Sequence, residues 1–118
     1  MRTPQINLLV IRTNQPKALA DFYTLLGMKF QYHRHGNGPY HYSTESDGFV
    51  FEIYPLLKGQ KAVDKSLRLG FTVSNLEKLV KILEMDCVKI IKIPTNTDWG
   101  FQPIIADLDG RKIELTQI

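Results

Sequence analysis

The amino-acid sequence predicts an α+β fold built from two βαβββ modules. Three observations predict it. Strand-like and helix-like runs follow one order in the first half and the same order in the second. Alternation along the strands gives each half one apolar face. Turn residues then separate the runs at corresponding places. The modules span about 5–56 and 67–118. The linker, 57–66, contains Gly59 and five charged or amide side chains. At 118 residues the chain has room for one domain, 1–118. Such a chain buries roughly two-thirds of its unfolded surface, and 43% hydrophobic residues suffice for that core.

In chain order, Ile6 to Thr13 reads as a strand and Pro16 to Leu26 as a helix. Asn14 or Gln15 precedes Pro16, which suits a first helical turn, and Leu19, Phe22, Tyr23 and Leu26 form an i, i+3, i+4, i+7 stripe. Gly27 then ends the helix. Strands follow over Lys29–His35, Tyr40–Glu45 and Phe49–Pro55, divided by Gly36-Asn37-Gly38-Pro39 and Ser46-Asp47-Gly48. In the second half, Leu67–Val73 is a strand. Ser74-x-x-Glu77 forms a capping box for a helix reaching Met85. Strands over Val88–Ile93, Phe101–Ala106 and Lys112–Thr116 complete the repeat, with Asp109-Gly110 as the last hairpin turn.

Side chains on a strand alternate between faces. Leu9 and Ile11, then Phe49, Phe51 and Ile53, then Leu67, Leu69, Phe71 and Val73, then Ile113 and Leu115 form the faces that seat the helices. The opposite faces carry Leu8, Val10 and Arg12; Val50, Glu52 and Tyr54; Arg68, Gly70 and Thr72; Lys112, Glu114 and Thr116. A solvated second face would be ordinary in a mixed sheet. Glu52, Arg68 and Glu114 at mid-strand instead suggest the lining of a pocket.

Composition narrows the function classes. The net charge of +3 is mild and the lysines are scattered, which argues against a nucleic-acid surface. No run approaches the roughly 20 apolar residues of a membrane span. Met1 to Gln5 lacks the apolar stretch of a signal peptide. A single cysteine, Cys87, fits a reducing, cytoplasmic setting. Cys87 is expected in the core, with no base to make it a nucleophile.

Several runs together resemble the vicinal oxygen chelate superfamily, which includes glyoxalase I, bleomycin-resistance proteins and extradiol dioxygenases. They are Ile6–Thr13; Ala18, Phe22-Tyr23 and Leu26-Gly27; Phe51-Glu52-Ile53; Leu69-Gly70-Phe71-Thr72-Val73; and Asp107-Leu108-Asp109-Gly110-Arg111-Lys112-Ile113-Glu114-Leu115. The resemblance implies a curved, incomplete mixed β-barrel around a ligand, helices outside, and a homodimer. It also implies a divalent ion held by one residue from each of four strands. Those positions fall on Leu8, Glu52, Arg68 and Glu114. The carboxylates fit. Leu8 has no donor atom, and a guanidinium has no lone pair to give. At about 4 Å and an effective dielectric near 20, like unit charges repel by about 4 kcal/mol. No metal is therefore expected at the usual site; were one present, Glu52 and Glu114 would hold it, with Zn, Ni, Mn or Fe as the ion. In its place, Glu52, Arg68 and Glu114 are expected to form an ionic cluster.

His33, His35 and His41 lie on or beside one hairpin, and His33-x-His35 places two rings on one face. With Glu52 they could make an unorthodox metal site. A solvated hairpin tip is the simpler reading. Tyr32, Tyr40, Tyr42, Tyr54, Trp99 and Phe101 are the aromatics expected to reach a cavity. Ligand contacts are expected from Arg12, Tyr42, Glu52, Tyr54, Arg68, Trp99 and Glu114. Three functions compete. The first is a binding protein for a small organic ligand, without the usual metal. The second is a metal-dependent lyase or dioxygenase with Glu52 or Glu114 as base or ligand. The third is an interaction module with a vestigial pocket.

Overall fold

The computed structural model describes residues 1–92, 96–97 and 100–118. Contacts divide the chain into two compact units, Met1–Asp64 and Lys65–Ile118. The first contains β1 (Leu8–Thr13), α1 (Pro16–Leu25), β2 (Gln31–His33), β3 (His41–Ser46) and β4 (Phe49–Pro55). The second contains β5 (Leu69–Val73), α2 (Leu76–Met85), β6 (Ile90–Lys92), β7 (Asn96–Thr97), β8 (Gly100–Phe101), β9 (Ile104–Ala106) and β10 (Lys112–Gln117). Each unit has one open four-stranded mixed sheet, ordered β1-β4-β3-β2 and β5-β10-β9-β6. In both, the first strand runs parallel to the last while the remaining neighbours are antiparallel. The α+β class and the βαβββ repeat are thus observed. No helix among the described residues is long and apolar enough to cross a membrane.

The helix-bearing faces are those the alternation predicts. In the first unit Ile11, Leu19, Phe22, Phe51 and Ile53 are buried, and Tyr23 meets Phe51 edge-on at 5.0 Å. Leu69, Leu76, Leu79, Leu83, Ile113 and Leu115 make the core of the second. Fully burying one such side chain is worth about 1.5–3 kcal/mol. Pro16 opens α1, and Gly27 closes it at φ 109°, a left-handed geometry suited to glycine.

Boundaries move where local chemistry competes with pattern. Asn75 caps α2, accepting a hydrogen bond from the Lys78 amide at 3.2 Å, while the Gln117 side chain accepts from the Leu76 amide at 2.8 Å. The cap is therefore Asn75 rather than Ser74, one asparagine serving as well as a serine. A small β7–β8 ladder precedes β9, and the buried Pro103, which has no N–H to donate, separates β8 from β9. Cys87 is exposed rather than in the core. It sits just past α2 at φ 58°, where the first unit has Gly27, so its side chain leaves the packed face.

The turn 107–111 holds the one buried arginine among the described residues. Asp107 Oδ1 accepts from the amides of Asp109 and Arg111 at 2.9 and 3.0 Å. The Arg111 guanidinium, 1% exposed, donates to Asp107 and Asp109 at 3.2 and 3.0 Å. Removing one partner of a buried pair leaves an uncompensated charge. Arg111→Ala should therefore lower unfolding free energy by about 3–5 kcal/mol, read by chemical denaturation; a loss comparable to that of an exposed pair would contradict this account.

Candidate functional site

The face of the first sheet opposite α1 is organised in cross-strand rows. One row places Val10, Glu52, Ser43 and Gln31 side by side across β1, β4, β3 and β2. In the next, Arg12 lies beside Tyr54 and His33 beside His41. The Arg12 guanidinium sits 4.9 Å from the Tyr54 ring centre and donates to the Pro55 carbonyl at 3.0 Å. Tyr54 stacks on His41 at 4.0 Å with the rings 9° from parallel. Burial, then the Glu52 charge, push the Tyr54 hydroxyl above its ordinary pKa, while Arg12 opposes the rise. A depression of about 270 Å³, lined by Lys29, Gln31, Ser43, Thr44 and Glu45, adjoins these rows.

Glu52 is 8% exposed and His41 fully buried. A Glu52 oxygen lies 3.1 Å from His41 Nε2 and 4.0 Å from His33 Nε2. The three imidazoles of His33, His35 and His41 are 4.7 to 5.0 Å apart between ring centres. One donor atom from each, with a Glu52 oxygen, lies within 4.8 Å of the others. The solvated-tip reading therefore holds for the exposed His35 but not for His41, which Tyr54 covers. The covering ring comes from β4, ten and more residues away, so periodicity within the hairpin could not show it.

The tip itself is locally determined. Gly36 adopts φ 56°. The Gly38 amide donates to the His35 carbonyl at 2.9 Å, and a Cβ at Gly38 would stand 3.1 Å from that oxygen. Glycine thus suits both places, by its backbone freedom at Gly36 and by the close carbonyl at Gly38, as the chain reverses between His35 and His41.

Other expected residues are distributed differently. Tyr42 lies on the opposite face, with Tyr32 at 4.6 Å, because alternation places it back to back with His41. Tyr40 stacks on Tyr32 at 5.0 Å and belongs to the same group. Trp99 lies outside the described residues, and so does the side chain of Phe101. Arg68 precedes β5 rather than lying within it, and pairs with Glu114 in the second unit. That pair forms one part of the expected ionic cluster, whereas Glu52, in the first unit, faces imidazoles. The donor set implied by the family resemblance does not fit a metal: Leu8 is an exposed apolar side chain, and Arg68 is a cation already bound to Glu114.

The side chains of Arg68 and Glu114 are 54% and 39% exposed, so solvent screens their attraction. Arg68→Ala should change stability by no more than about 1 kcal/mol in a denaturation series; a loss matching that of Arg111→Ala would show that this pair is structural.

Residues 5–115 match the model of the Glyoxalase/Bleomycin resistance protein/Dioxygenase superfamily. No curated protein sequence matches the chain. Among solved structures, TnmS3, an antibiotic binding protein from Streptomyces sp. CB03234, is similar over 99% of this chain and 98% of its own, with 21% identity and a TM-score of 0.76. An integron cassette protein from the mobile metagenome of V. cholerae shares 23% identity over 99% and 97% of the two chains, with a TM-score of 0.73. TioX from Micromonospora sp. ML1 shares 14% identity over 97% and 98%, with the same TM-score.

Proposed function

The chain belongs to the glyoxalase/bleomycin resistance protein/dioxygenase superfamily, and on that premise we propose that it binds a small organic ligand on the open face of its first sheet. One observation carries this reading: the buried Glu52 carboxylate sits in a row with Ser43 and Gln31, beside a depression of about 270 Å³. Small-molecule sites combine such a concavity with a few placed polar groups. Glu52 accepts the ligand's donors, and Arg12 and Tyr54 bound the site. The ligand class to test is a planar aromatic molecule with polar substituents. The antibiotic-binding relative supports the reading by fold alone. In this proposal the family's usual ion takes no part, because Leu8 and Arg68 cannot hold it. The protein acts in the cytoplasm as a homodimer.

A second reading is a metal-dependent lyase or dioxygenase, and the imidazoles gathered on Glu52 favour it. That reading makes Glu52 a ligand to an ion and leaves Glu114 to its arginine.

The two part in a buffer containing chelator. Bleomycin and a panel of planar aromatic natural products, titrated calorimetrically under those conditions, should yield a ligand that binds once per chain. Glu52→Gln and Arg12→Ala should each weaken it by about tenfold, the worth of one hydrogen bond to a charged group. Unchanged affinity in both variants, or no binder in the panel, would count against the site.

A further inference from the structure

We infer that the β2–β3 hairpin and β4 hold a divalent transition-metal ion through His33, His35, His41 and Glu52, at a site distinct from the four-strand set of the family. His41 is oriented by a hydrogen bond of its own. Its Nδ1 lies 3.2 Å from the Pro39 carbonyl oxygen, which can only accept. The proton is therefore assigned to Nδ1, by the network rather than by sight of the hydrogen. In the neutral ring Nε2 then carries the lone pair, and this atom stands 3.1 Å from a carboxylate oxygen of Glu52. The two are close without being aligned as a hydrogen bond, and His41 Nε2 and His33 Nε2 are both buried with no hydrogen-bond partner. Two buried imidazole nitrogens without hydrogen-bond partners, gathered beside a buried carboxylate, form a donor set that a positive charge between them would satisfy.

A metal ion supplies that charge with the right valence of donors. Imidazole and carboxylate together suit Zn, Co, Ni and Fe(II). At metal–ligand distances of about 2.0–2.1 Å, the donors of a tetrahedral site stand about 3.4 Å apart. The His41–Glu52 separation of 3.1 Å is near this value, the 4.0 Å from His33 to Glu52 needs closure of about half an ångström, and the full set, whose donors lie within 4.8 Å of one another, needs closure of up to about 1.4 Å. The rest of the surroundings match a metal-binding histidine. The hydrogen bond to a backbone carbonyl fixes the ring's tautomer, as ligating imidazoles usually require. Tyr54, itself covered by Arg12, holds the plane of His41. Gly38 keeps His35 against the tip. His35 is exposed, so the ion is reached from solvent.

The test uses the untagged full chain, stripped with chelator and dialysed, then titrated with Zn(II) by calorimetry and with Co(II) by visible absorption. One ion per chain is expected, with ligand-field bands of a low-coordinate nitrogen and oxygen site and a raised unfolding midpoint on adding Zn(II). His33 is half-buried and His35 exposed, so the double variant His33→Ala, His35→Ala should fold, as far-UV circular dichroism would verify, and lose affinity by about 100-fold or more. Glu114→Gln should bind as the parent does. No calorimetric heat and no cobalt bands in the parent would overturn the inference. So would an ion kept by the double histidine variant but lost in Glu114→Gln. The ligand titration in chelator is independent of both results, so this site and the proposed ligand site can fail separately.

Discussion

The parallel ladder between the first and last strands of each unit is the constraint from which the site follows. In the first unit it sets Val10 against Glu52 and Arg12 against Tyr54. Because β4 is bonded on its other side to β3, its side chains are positioned by two registers at once. A slip of one residue would turn Glu52 into the helix-packed core and bring Phe51 or Ile53 to the open face. The burial of Phe51 and Ile53 against α1 forbids that slip. Hydrophobic packing on one face thus fixes the polar chemistry of the other.

Electrostatics then decides what the fixed residues can do. A carboxylate held out of water needs compensation, and the two units meet that need differently. Glu114 is partly exposed and pairs with Arg68, a permanent cation, at modest energetic value. Glu52 is almost out of solvent and faces the imidazoles of His33 and His41. The same strand position in a repeated fold therefore carries a carboxylate paired with arginine in one unit and a carboxylate gathered with imidazoles in the other.

The fold was readable wherever alternation was strong. Phe49 to Pro55 reads as a strand from sequence and is β4 to the residue. The faces of β1, β5 and β10 follow from parity alone. Edges were less legible: the strand expected over Lys29–His35 shrinks to Gln31–His33, because an edge strand has a partner on one side only. Parity also shows that Tyr42 and His41 must point apart, yet it cannot say which of them faces Glu52. That depends on the register between β3 and β4, which is a non-local property. The imidazole cluster was nameable from His33-x-His35, His41 and Glu52, but burial of His41 under Tyr54 was not, since it needs two strands brought together. Cys87 misled because its helix-end position reads as apolar, whereas its left-handed backbone points it outward.

The shortness of β2 has its own effect on how the molecule behaves among copies of itself. It is the outer strand of its sheet on that side. A strand of three residues offers an incoming chain only one or two outward-facing backbone groups, too few to template a continued ladder. The first sheet thus ends on the β2 side in a border that gives little purchase for edge-to-edge aggregation, without a charged residue having to stand guard inside β2.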